Sequence, residues 1–237
     1  MKAIILAAGR GSRLKHLTDD RPKGLTLFRG RTLLEWQLSA LTRSGIRDVG
    51  IVTGYMKEEF SKYGLHEFHN KRWANTQMVA SLKCAEQWLN QDKCLVIYSD
   101  IFFLHSALLS LARCASDLSI TYDKFWLDLW RRRFRDPLVD AECFRLGSNG
   151  ILKEIGGRPN RLEDVQGQYM GLLCFTPVGW NVFDRIYSTL DSARQDQASM
   201  TEVLQLIIEE GMLDILAVPY EDEWGEFDHP SDFDTLG

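Results

Sequence analysis

The chain has 237 residues, 45% of them hydrophobic, which is enough to bury the core of one large domain. Its formal net charge of -5 excludes a general nucleic-acid binder, because such proteins present broadly basic surfaces. No stretch approaches the roughly 18 to 20 apolar residues that span a bilayer, and the apolar run at residues 3–8 is too short for a secretory signal. We therefore expect a cytoplasmic protein without a nucleic-acid or membrane partner, whose five cysteines are reduced core residues.

Apolar strands alternate with helices in the first half of the chain. The predicted elements are strands at residues 2–7, 48–54, 66–68 and 93–100, and helices at residues 32–45, 56–62 and 78–90. This alternation is typical of an α/β fold in which helices cover both faces of a mostly parallel sheet. We expect residues 1–118 to form a nucleotide-binding core.

The second half of the chain has shorter segments that alternate in polarity. The predicted elements are a hairpin at 142–157 that turns at 148–150, a β segment at 165–175, helices at 178–190 and 200–210, and a strand at 214–221. No linker separates the two halves. We expect one domain, residues 1–237, in which residues 119–237 form a small β-rich lid that binds a second substrate.

A glycine-rich loop, "LAAGRGSRL" at residues 6–14, follows the first strand, and "RPKGL" stands at residues 21–25. A dinucleotide-binding turn would need a third glycine and an acid where Thr53 and Gly54 stand, and a Walker A loop would need Gly-Lys-Ser/Thr. Backbone N–H groups in such a loop converge on phosphate oxygens. The pattern predicts a triphosphate site, and a tight structural turn with solvated basic residues is the alternative.

The two-part pattern resembles the signature of nucleotidyltransferases that make NDP-sugars and CDP-activated head groups. The resemblance implies a Rossmann-like fold, related to that of the glycosyltransferases of type A, with Arg13 on the β- and γ-phosphates and Lys23 on the α-phosphate as catalytic residues. Preorganised cations suit these positions, because negative charge develops there during the reaction. The nucleotide-binding residues that the resemblance implies are Leu6, Ala7, Ala8, Gly9, Gly11, Ser12, Arg13, Lys23, Asn75, Thr76, Ser81 and Ser99.

Two aspartates match the metal ligands of the resembled family. Asp100 closes the apolar strand "CLVIYSD", and Asp228 lies in "WGEFDHPSD" near the end of the chain. Mg²⁺ usually takes one or two carboxylates together with substrate phosphates, so these two residues are sufficient. The alternatives are a helix-capping role for Asp100, and Glu226 or Asp232 as the second ligand.

The segment "ANTQMVASL", residues 74–82, corresponds to the base-binding segment of the resembled enzymes. Asn75, Thr76 and Ser81 offer hydrogen-bond donors and acceptors there, and a role for Thr76 as a helix cap is the alternative. The segment lacks the glycines of the sugar-type enzymes and is more similar to that of the cytidylyltransferases. The resemblance therefore favours CTP as the nucleotide.

Four later stretches resemble cytidylyltransferases that act on 2-aminoethylphosphonate or phosphoglutamine: "FWLDLWRRRFRDPLVDAECF", "EDVQGQYMGLLCF", "SMTEVLQ" and "DEWGEFDHPSDF". The acceptor-binding residues that this implies are Trp126, Trp130, Arg131, Arg132, Gln168, Tyr169 and Trp224. The alternatives are a packed aromatic stripe and arginines that solvate one helix. Glu142 and Glu223 are further candidates for binding an amino-acid head group.

These features together predict a Mg²⁺-dependent enzyme that transfers CMP from CTP to a small phosphorylated or phosphonate acceptor, with release of pyrophosphate. The acceptor would be phosphoglutamine, 2-aminoethylphosphonate or phosphocholine. A sugar-1-phosphate nucleotidyltransferase and a nucleotide-sensing subunit without turnover are the alternatives. The expected partners are CTP and the acceptor, and the edge strands and the apolar hairpin would support a homodimer.

Overall fold

The protein, described here over residues 1–236 by a computed structural model, consists of alternating strands and helices. The strands are β1 (Lys2–Ala7), β2 (Leu27–Phe28), β3 (Arg31–Thr32), β4 (Val49–Thr53), β5 (His66–His69), β6 (Cys94–Tyr98), β7 (Ile101–Phe103), β8 (Leu118–Asp123), β9 (Cys143–Leu146), β10 (Leu152–Gly156), β11 (Gln168–Phe175), β12 (Leu216–Tyr220) and β13 (Trp224–Glu226). The helices are α1 (Leu33–Arg43), α2 (Met78–Lys83), α3 (Glu86–Gln91), α4 (His105–Ala112), α5 (Trp126–Arg133), α6 (Pro177–Thr189), α7 (Ser192–Gln197), α8 (Met200–Glu209) and α9 (Pro230–Leu236). Within residues 1–236 no helix has the length and apolar character needed to cross a membrane.

The central sheet has the strand order β12-β8-β11-β6-β1-β4-β5 within the described residues. The pairs β1 with β4, β1 with β6, β4 with β5, and β8 with β12 are parallel, and β11 is antiparallel to both of its neighbours. The sheet is therefore mostly parallel, and helices lie on both faces. This confirms the predicted fold class.

Much of the second half belongs to the central sheet. The segment predicted at 165–175 forms β11, which lies between β6 and β8, and β12 extends the same edge. β8 was not predicted as a separate strand, because the predicted boundary between the two halves of the chain, at residue 118, coincides with its first residue. The predicted hairpin is present as the antiparallel pair β9 and β10, which lies outside the central sheet.

Local sequence signals explain where the helices begin and end. α1 begins with a capping box, in which Thr32 and Glu35 each bind the other's backbone N–H, and the chain leaves the helix through Gly45 at φ +76°. The helix predicted at 78–90 is instead two short helices, α2 and α3, separated by the buried Ala85. The break lets α2 pack against β1 while α3 packs against α6.

Two apolar layers enclose the sheet. One contains Leu33 and Leu41 of α1 and Leu108 of α4, and the other contains Val79 of α2 and Phe183 of α6. All five cysteines are free, but only Cys94 and Cys174 are buried. The free cysteines are consistent with the expected thiols. The prediction that the cysteines lie in the core holds for Cys94 and Cys174 but is wrong for Cys84, Cys114 and Cys143, which are more accessible.

Gln37 connects α1 to the turn between β6 and β7. Its side chain is buried, and its Nε2 donates hydrogen bonds of 2.8 Å to the carbonyl oxygens of both Tyr98 and Ile101. These two carbonyls flank Ser99 and Asp100. Gln37 therefore holds the backbone that carries the predicted metal ligand.

We expect Gln37→Leu to lower the free energy of unfolding by about 2–3 kcal/mol, because two buried carbonyl groups lose their donor. Urea denaturation followed by circular dichroism measures this change. Gln91→Leu, at an exposed position at the end of α3, is the control and should change stability by no more than about 0.5 kcal/mol. Equal effects of the two substitutions would contradict this role for Gln37.

Candidate active site

The glycine-rich loop lies at the carboxyl end of β1 and covers the side chain of Lys23. Gly11 has φ +72°, a left-handed conformation, and a Cβ at this position would lie 2.8 Å from the Cβ of Lys23. The Thr18 hydroxyl donates a hydrogen bond of 3.1 Å to the Gly11 carbonyl and closes the loop. Only glycine meets both requirements, so the second glycine of the motif creates the space through which Lys23 passes.

The other residues predicted at the loop lie at the end of β1 or immediately after it: Leu6, Ala7, Ala8, Gly9 and Ser12. Gly9 and Ser12 are exposed, so their backbone N–H groups are accessible to a ligand. Ser99 is buried and packs against Gly24, where an added Cβ would lie 3.1 Å from the Ser99 Cβ. Ser99 thus packs against the turn formed by Pro22, Lys23 and Gly24.

The Lys23 ammonium lies between two carboxylates that are distant in sequence. Its Nζ donates to Asp100 Oδ2 at 2.7 Å and to Asp228 Oδ1, and its side chain is 10% exposed. Arg13 Nη2 contacts Asp228 Oδ1 at 3.0 Å from the solvent side, with 61% of its side chain exposed. The structure thus brings together all four residues predicted as catalytic or metal-binding.

A third carboxylate completes this cluster. β13 pairs antiparallel with β7 so that Glu226 lies opposite Ile101, next to Asp100. One carboxylate oxygen from each of Asp100, Glu226 and Asp228 lies within 4.8 Å of the others. Glu226, which the sequence left as an alternative ligand, belongs to the same cluster as the two predicted aspartates.

Burial and neighbouring charges shift the pKa values of Glu226, Asp228 and Lys23 in this cluster. Burial, followed by the charges of Asp228 and Asp100, raises the pKa of Glu226 to about 8. Burial also acts to raise the pKa of Asp228, but the neighbouring Lys23 ammonium lowers it below its ordinary value. Burial disfavours the Lys23 charge, yet Asp100 and Asp228 raise the pKa of its ammonium. The cluster therefore holds negative charge that only a nearby cation stabilises.

The cluster fits a divalent cation that prefers oxygen ligands. Asp100 Oδ1 is buried without a hydrogen-bond partner among residues 1–236, so this oxygen is available as a ligand. Carboxylate oxygens are the ligands that Mg²⁺ takes, and few of them suffice when substrate phosphates complete the coordination. The donor set is consistent with the predicted Mg²⁺.

The sequence left Asp232 open as an alternative second metal ligand, but in the structure its carboxylate binds the backbone of the neighbouring segment. Its Oδ2 accepts hydrogen bonds of 2.8 Å from the backbone N–H groups of both Asp228 and His229. Its carboxylate also accepts from Arg133 Nε at 3.0 Å, and Arg133 Nη1 contacts Glu226 at 3.4 Å. The Arg133 side chain is 0% exposed. Arg133 and Asp232 therefore hold the segment that carries two of the three carboxylates.

The Trp/Arg-rich insertion forms α5, and its predicted acceptor-binding residues separate into two groups. Trp130 lines a cavity of about 330 Å³ beside the carboxylate cluster. Trp126 is buried elsewhere and donates its indole N–H to the Val165 carbonyl at 3.2 Å. Arg131 and Arg132 are exposed and lie outside the lining of this cavity. The helical spacing placed all four on one element but did not show which side faces the cavity.

The remaining predicted acceptor-binding residues line the same cavity. Gln168, Tyr169 and Trp224 lie there together with Arg13 and Glu142. The indole N–H of Trp224 donates to Asp123 Oδ2 at 2.8 Å. Glu223 instead accepts from Arg29 on the surface, outside the cavity lining. Sequence reasoning did not identify Asp140 or Tyr98, which also line the cavity and stand in otherwise ordinary contexts.

Asn70 organises the predicted base-binding segment. Its Nδ2 donates at 3.0 Å to both Thr76 Oγ1 and Ser81 Oγ, and its Oδ1 accepts from the Arg72 backbone N–H. The N-cap of α2 is Gln77, so Thr76 is not the helix cap that the alternative required. Asn75 is exposed at the start of this segment. Nothing in the sequence around Asn70 indicated this role.

A glycine-rich loop beside clustered carboxylates, at the carboxyl end of a mostly parallel sheet, is the arrangement expected for a nucleotide-dependent transferase. Residues 3–141 match the family model of the MobA-like NTP transferase domain. The chain belongs to this family, which confirms the predicted nucleotidyltransferase. Arg13, Lys23 and Asp100 lie inside this range, whereas Glu226 and Asp228 lie in the residues that follow it.

Similar proteins extend the match to the whole chain. The CTP:phosphoglutamine cytidylyltransferase of Campylobacter jejuni is 32% identical over 251 aligned residues, which cover 99% of this chain and 98% of that protein. The choline-phosphate cytidylyltransferase of Streptococcus pneumoniae is 40% identical over 93 residues, or 38% of this chain and 41% of that protein. The solved inositol-1-phosphate CTP transferase of T. maritima superposes with a TM-score of 0.77 at 22% identity, covering 99% and 94% of the two chains, which shows a shared fold.

We expect Arg133→Met to lower the free energy of unfolding by about 3–5 kcal/mol, because it leaves Asp232 and Glu226 buried without their cation. Chemical denaturation measures this loss. Arg132→Met, one residue earlier on the exposed side of α5, is the matched control and should cost no more than about 0.5 kcal/mol. A comparable cost for both would show that the charge pairing of Arg133 is not what stabilises this segment.

The raised pKa of Glu226 predicts how stability depends on pH in the absence of metal. The folded-state pKa of about 8 exceeds the ordinary value of 4.5, so the protonated carboxyl stabilises the fold below about pH 5, and this contribution is lost as the pH rises towards 8. One such group adds a slope of at most about 1.4 kcal/mol per pH unit. Glu226→Gln should make the fall in thermal stability between pH 5 and 8 shallower. An unchanged slope would contradict the assignment.

Proposed function

We propose that the protein is a cytidylyltransferase that transfers CMP from CTP to a small phosphorylated or phosphonate acceptor and releases pyrophosphate. The observation that carries the proposal is the convergence of Arg13, Lys23 and three carboxylates beside the glycine-rich loop, at one end of a cavity. A full-length relative with a cytidylyltransferase activity supports the choice of nucleotide. The acceptors named for related proteins are phosphoglutamine, choline phosphate and 2-aminoethylphosphonate.

The reaction needs positioning and charge stabilisation more than acid–base chemistry. An acceptor oxygen, already ionised near neutral pH, forms a bond to the α-phosphorus of CTP while the bond to pyrophosphate breaks. The exposed guanidinium of Arg13 is placed to contact the departing phosphates, and the Lys23 ammonium to neutralise charge at the α-phosphate. Both cations are held by Asp228, so the same carboxylate orients them.

We assign the carboxylates of Asp100, Asp228 and Glu226 as the groups that would hold Mg²⁺. Bound there, the ion would supply positive charge that stabilises the phosphate oxygens of the nucleotide. Lys23 binds one oxygen of each aspartate, Asp100 Oδ2 and Asp228 Oδ1, so Asp100 Oδ1 would be available to the ion while the ammonium stays in place. In this arrangement the Lys23 ammonium would lie beside both the ion and the nucleotide phosphates. A cytoplasmic location and a homodimer remain predictions from the sequence.

The experiment that tests this function is pyrophosphate release with CTP and Mg²⁺ in the presence of phosphoglutamine, 2-aminoethylphosphonate, phosphocholine or glucose 1-phosphate. We expect release with one of the first three and at least about 100-fold lower kcat for Asp100→Asn, because a group that acts on the transition-state charge is lost. Asp214→Asn, at an exposed carboxylate after α8, is the matched control and should match the parent protein.

The results separate the proposal from its rivals. Release with glucose 1-phosphate alone, or with another NTP, would establish a sugar nucleotidyltransferase. Mg²⁺-dependent CTP binding without release for any acceptor would favour a nucleotide-sensing protein. Turnover of Asp100→Asn within about tenfold of the parent protein at saturating Mg²⁺ would refute the assigned metal site.

A further inference from the structure

Two carboxylates line the cavity outside the proposed metal cluster. Asp140 and Glu142 are half-buried, and neither forms an ion pair within the described part of the chain, residues 1–236. Burial raises the pKa of both groups. A carboxylate that is buried without a partner is costly, and a positive group on a ligand would offset that cost. The cavity thus has a negative region that the metal does not explain.

Glu142 is held in place from two sides. The buried Gln168 donates its Nε2 to the Glu142 carbonyl at 2.8 Å, and its Oε1 accepts from the Glu142 backbone N–H at 3.3 Å. The Thr201 hydroxyl donates to Glu142 Oε1 at 3.5 Å. Gln168 is therefore a positioning residue whose polar atoms are already used. The carboxylate of Glu142 keeps most of its accepting capacity for a ligand.

The geometry of the cavity links this region to the reaction centre. Arg13 and Asp228 lie on the lining together with Asp140 and Glu142, inside the same volume of about 330 Å³. Tyr98 lines the same cavity, and burial, together with the charges of Glu142 and Asp100, raises the pKa of its hydroxyl. An acceptor whose phosphate lies at the reaction centre would therefore extend its other end towards Glu142.

The Trp130 ring, which lines the cavity, is covered by its neighbours and does not offer a free face to a quaternary ammonium. Trp130 is 2% exposed, and its ring packs against Trp126 at 6.0 Å and Trp224 at 6.1 Å between centroids. The Arg133 guanidinium lies 5.0 Å from the same ring. A methylated cation would need such faces uncovered. The Trp130 indole N–H is buried without a hydrogen-bond partner among residues 1–236.

We propose that Glu142 and Asp140 bind a primary ammonium group at the end of the acceptor away from its phosphate or phosphonate, and so select it over quaternary and uncharged acceptors. An R–NH₃⁺ group donates up to three hydrogen bonds to carboxylate and hydroxyl oxygens, whereas a trimethylated nitrogen donates none. The inference rests on the proposed function and specifies its acceptor.

The experiment compares matched acceptors in the pyrophosphate-release assay with CTP and Mg²⁺. Each of 2-aminoethylphosphonate and phosphoglutamine is compared with its N-trimethylated analogue and with the analogue that lacks the amino group. The variants are Glu142→Gln and Asp140→Asn. Glu163→Gln, at an exposed glutamate in the turn at residues 162–164, is the control.

For the parent protein we expect kcat/KM with the amino acceptor to exceed that with either analogue by at least about tenfold, the effect of one charge-assisted hydrogen bond. Glu142→Gln and Asp140→Asn should each reduce this preference by about tenfold through a higher acceptor KM, with the KM for CTP unchanged. Glu163→Gln should keep the preference of the parent protein.

Equal use of the trimethylated acceptor, or an unchanged preference in both Glu142→Gln and Asp140→Asn, would overturn the inference while leaving the cytidylyltransferase proposal in place. Failure of the proposed function has a different signature, which is the absence of pyrophosphate release with every acceptor. In that case the ammonium site loses its basis as well.

Discussion

The site depends on the contact of one ammonium, that of Lys23, with two carboxylates that are 128 residues apart in the chain, Asp100 and Asp228. Asp100 follows a central strand, Asp228 lies near the carboxyl terminus, and Lys23 joins both from the loop that follows β1. Without a cation between them these buried carboxylates would repel one another. Gly11 provides the space for the Lys23 side chain, and the pairing of β13 with β7 provides the third carboxylate, Glu226. The first feature makes the contact possible, and the second places a further negative group beside it.

Three cations surround the carboxylate cluster, and their exposure indicates what each does. Arg133, with a fully buried side chain, neutralises the segment from behind and is committed to Asp232 and Glu226. Lys23, at 10% exposure, lies within the cluster, and Arg13, at 61%, reaches it from solvent. A guanidinium enclosed by protein retains its partners, whereas an exposed one can exchange them for substrate phosphates at little cost. This gradient supports a structural role for Arg133 and a substrate role for Arg13.

Much of the fold was predictable because its signals are local. Apolar runs marked most strands of the sheet, and a two-part motif marked Arg13 and Lys23, which the structure brings to the same carboxylate, that of Asp228. The position of β11 was not predictable in this way, since one strand among parallel neighbours has no sequence signal for its order in a sheet. For a related reason, the sequence did not indicate the structural roles of Asn70, Gln168 and Arg133. Each acts through hydrogen bonds to segments that are remote or irregular, and a side chain in such a role resembles any other polar residue in a sequence.

The two ends of the cavity are built from different elements, which has a consequence for specificity. The carboxylates of the reaction centre come from the turn after β6, from the end of β13 and from the segment that follows it. In contrast, Glu142 precedes the β9–β10 hairpin, Gln168 begins β11 and Thr201 lies in α8. The hydrogen bonds that orient Glu142 involve no side chain that touches Lys23 or Asp100. Substitutions at the acceptor end therefore alter its charge without removing a partner from the reaction centre. We therefore assign nucleotidyl transfer to one part of the cavity and the selection of a particular acceptor to another part, which can be altered separately.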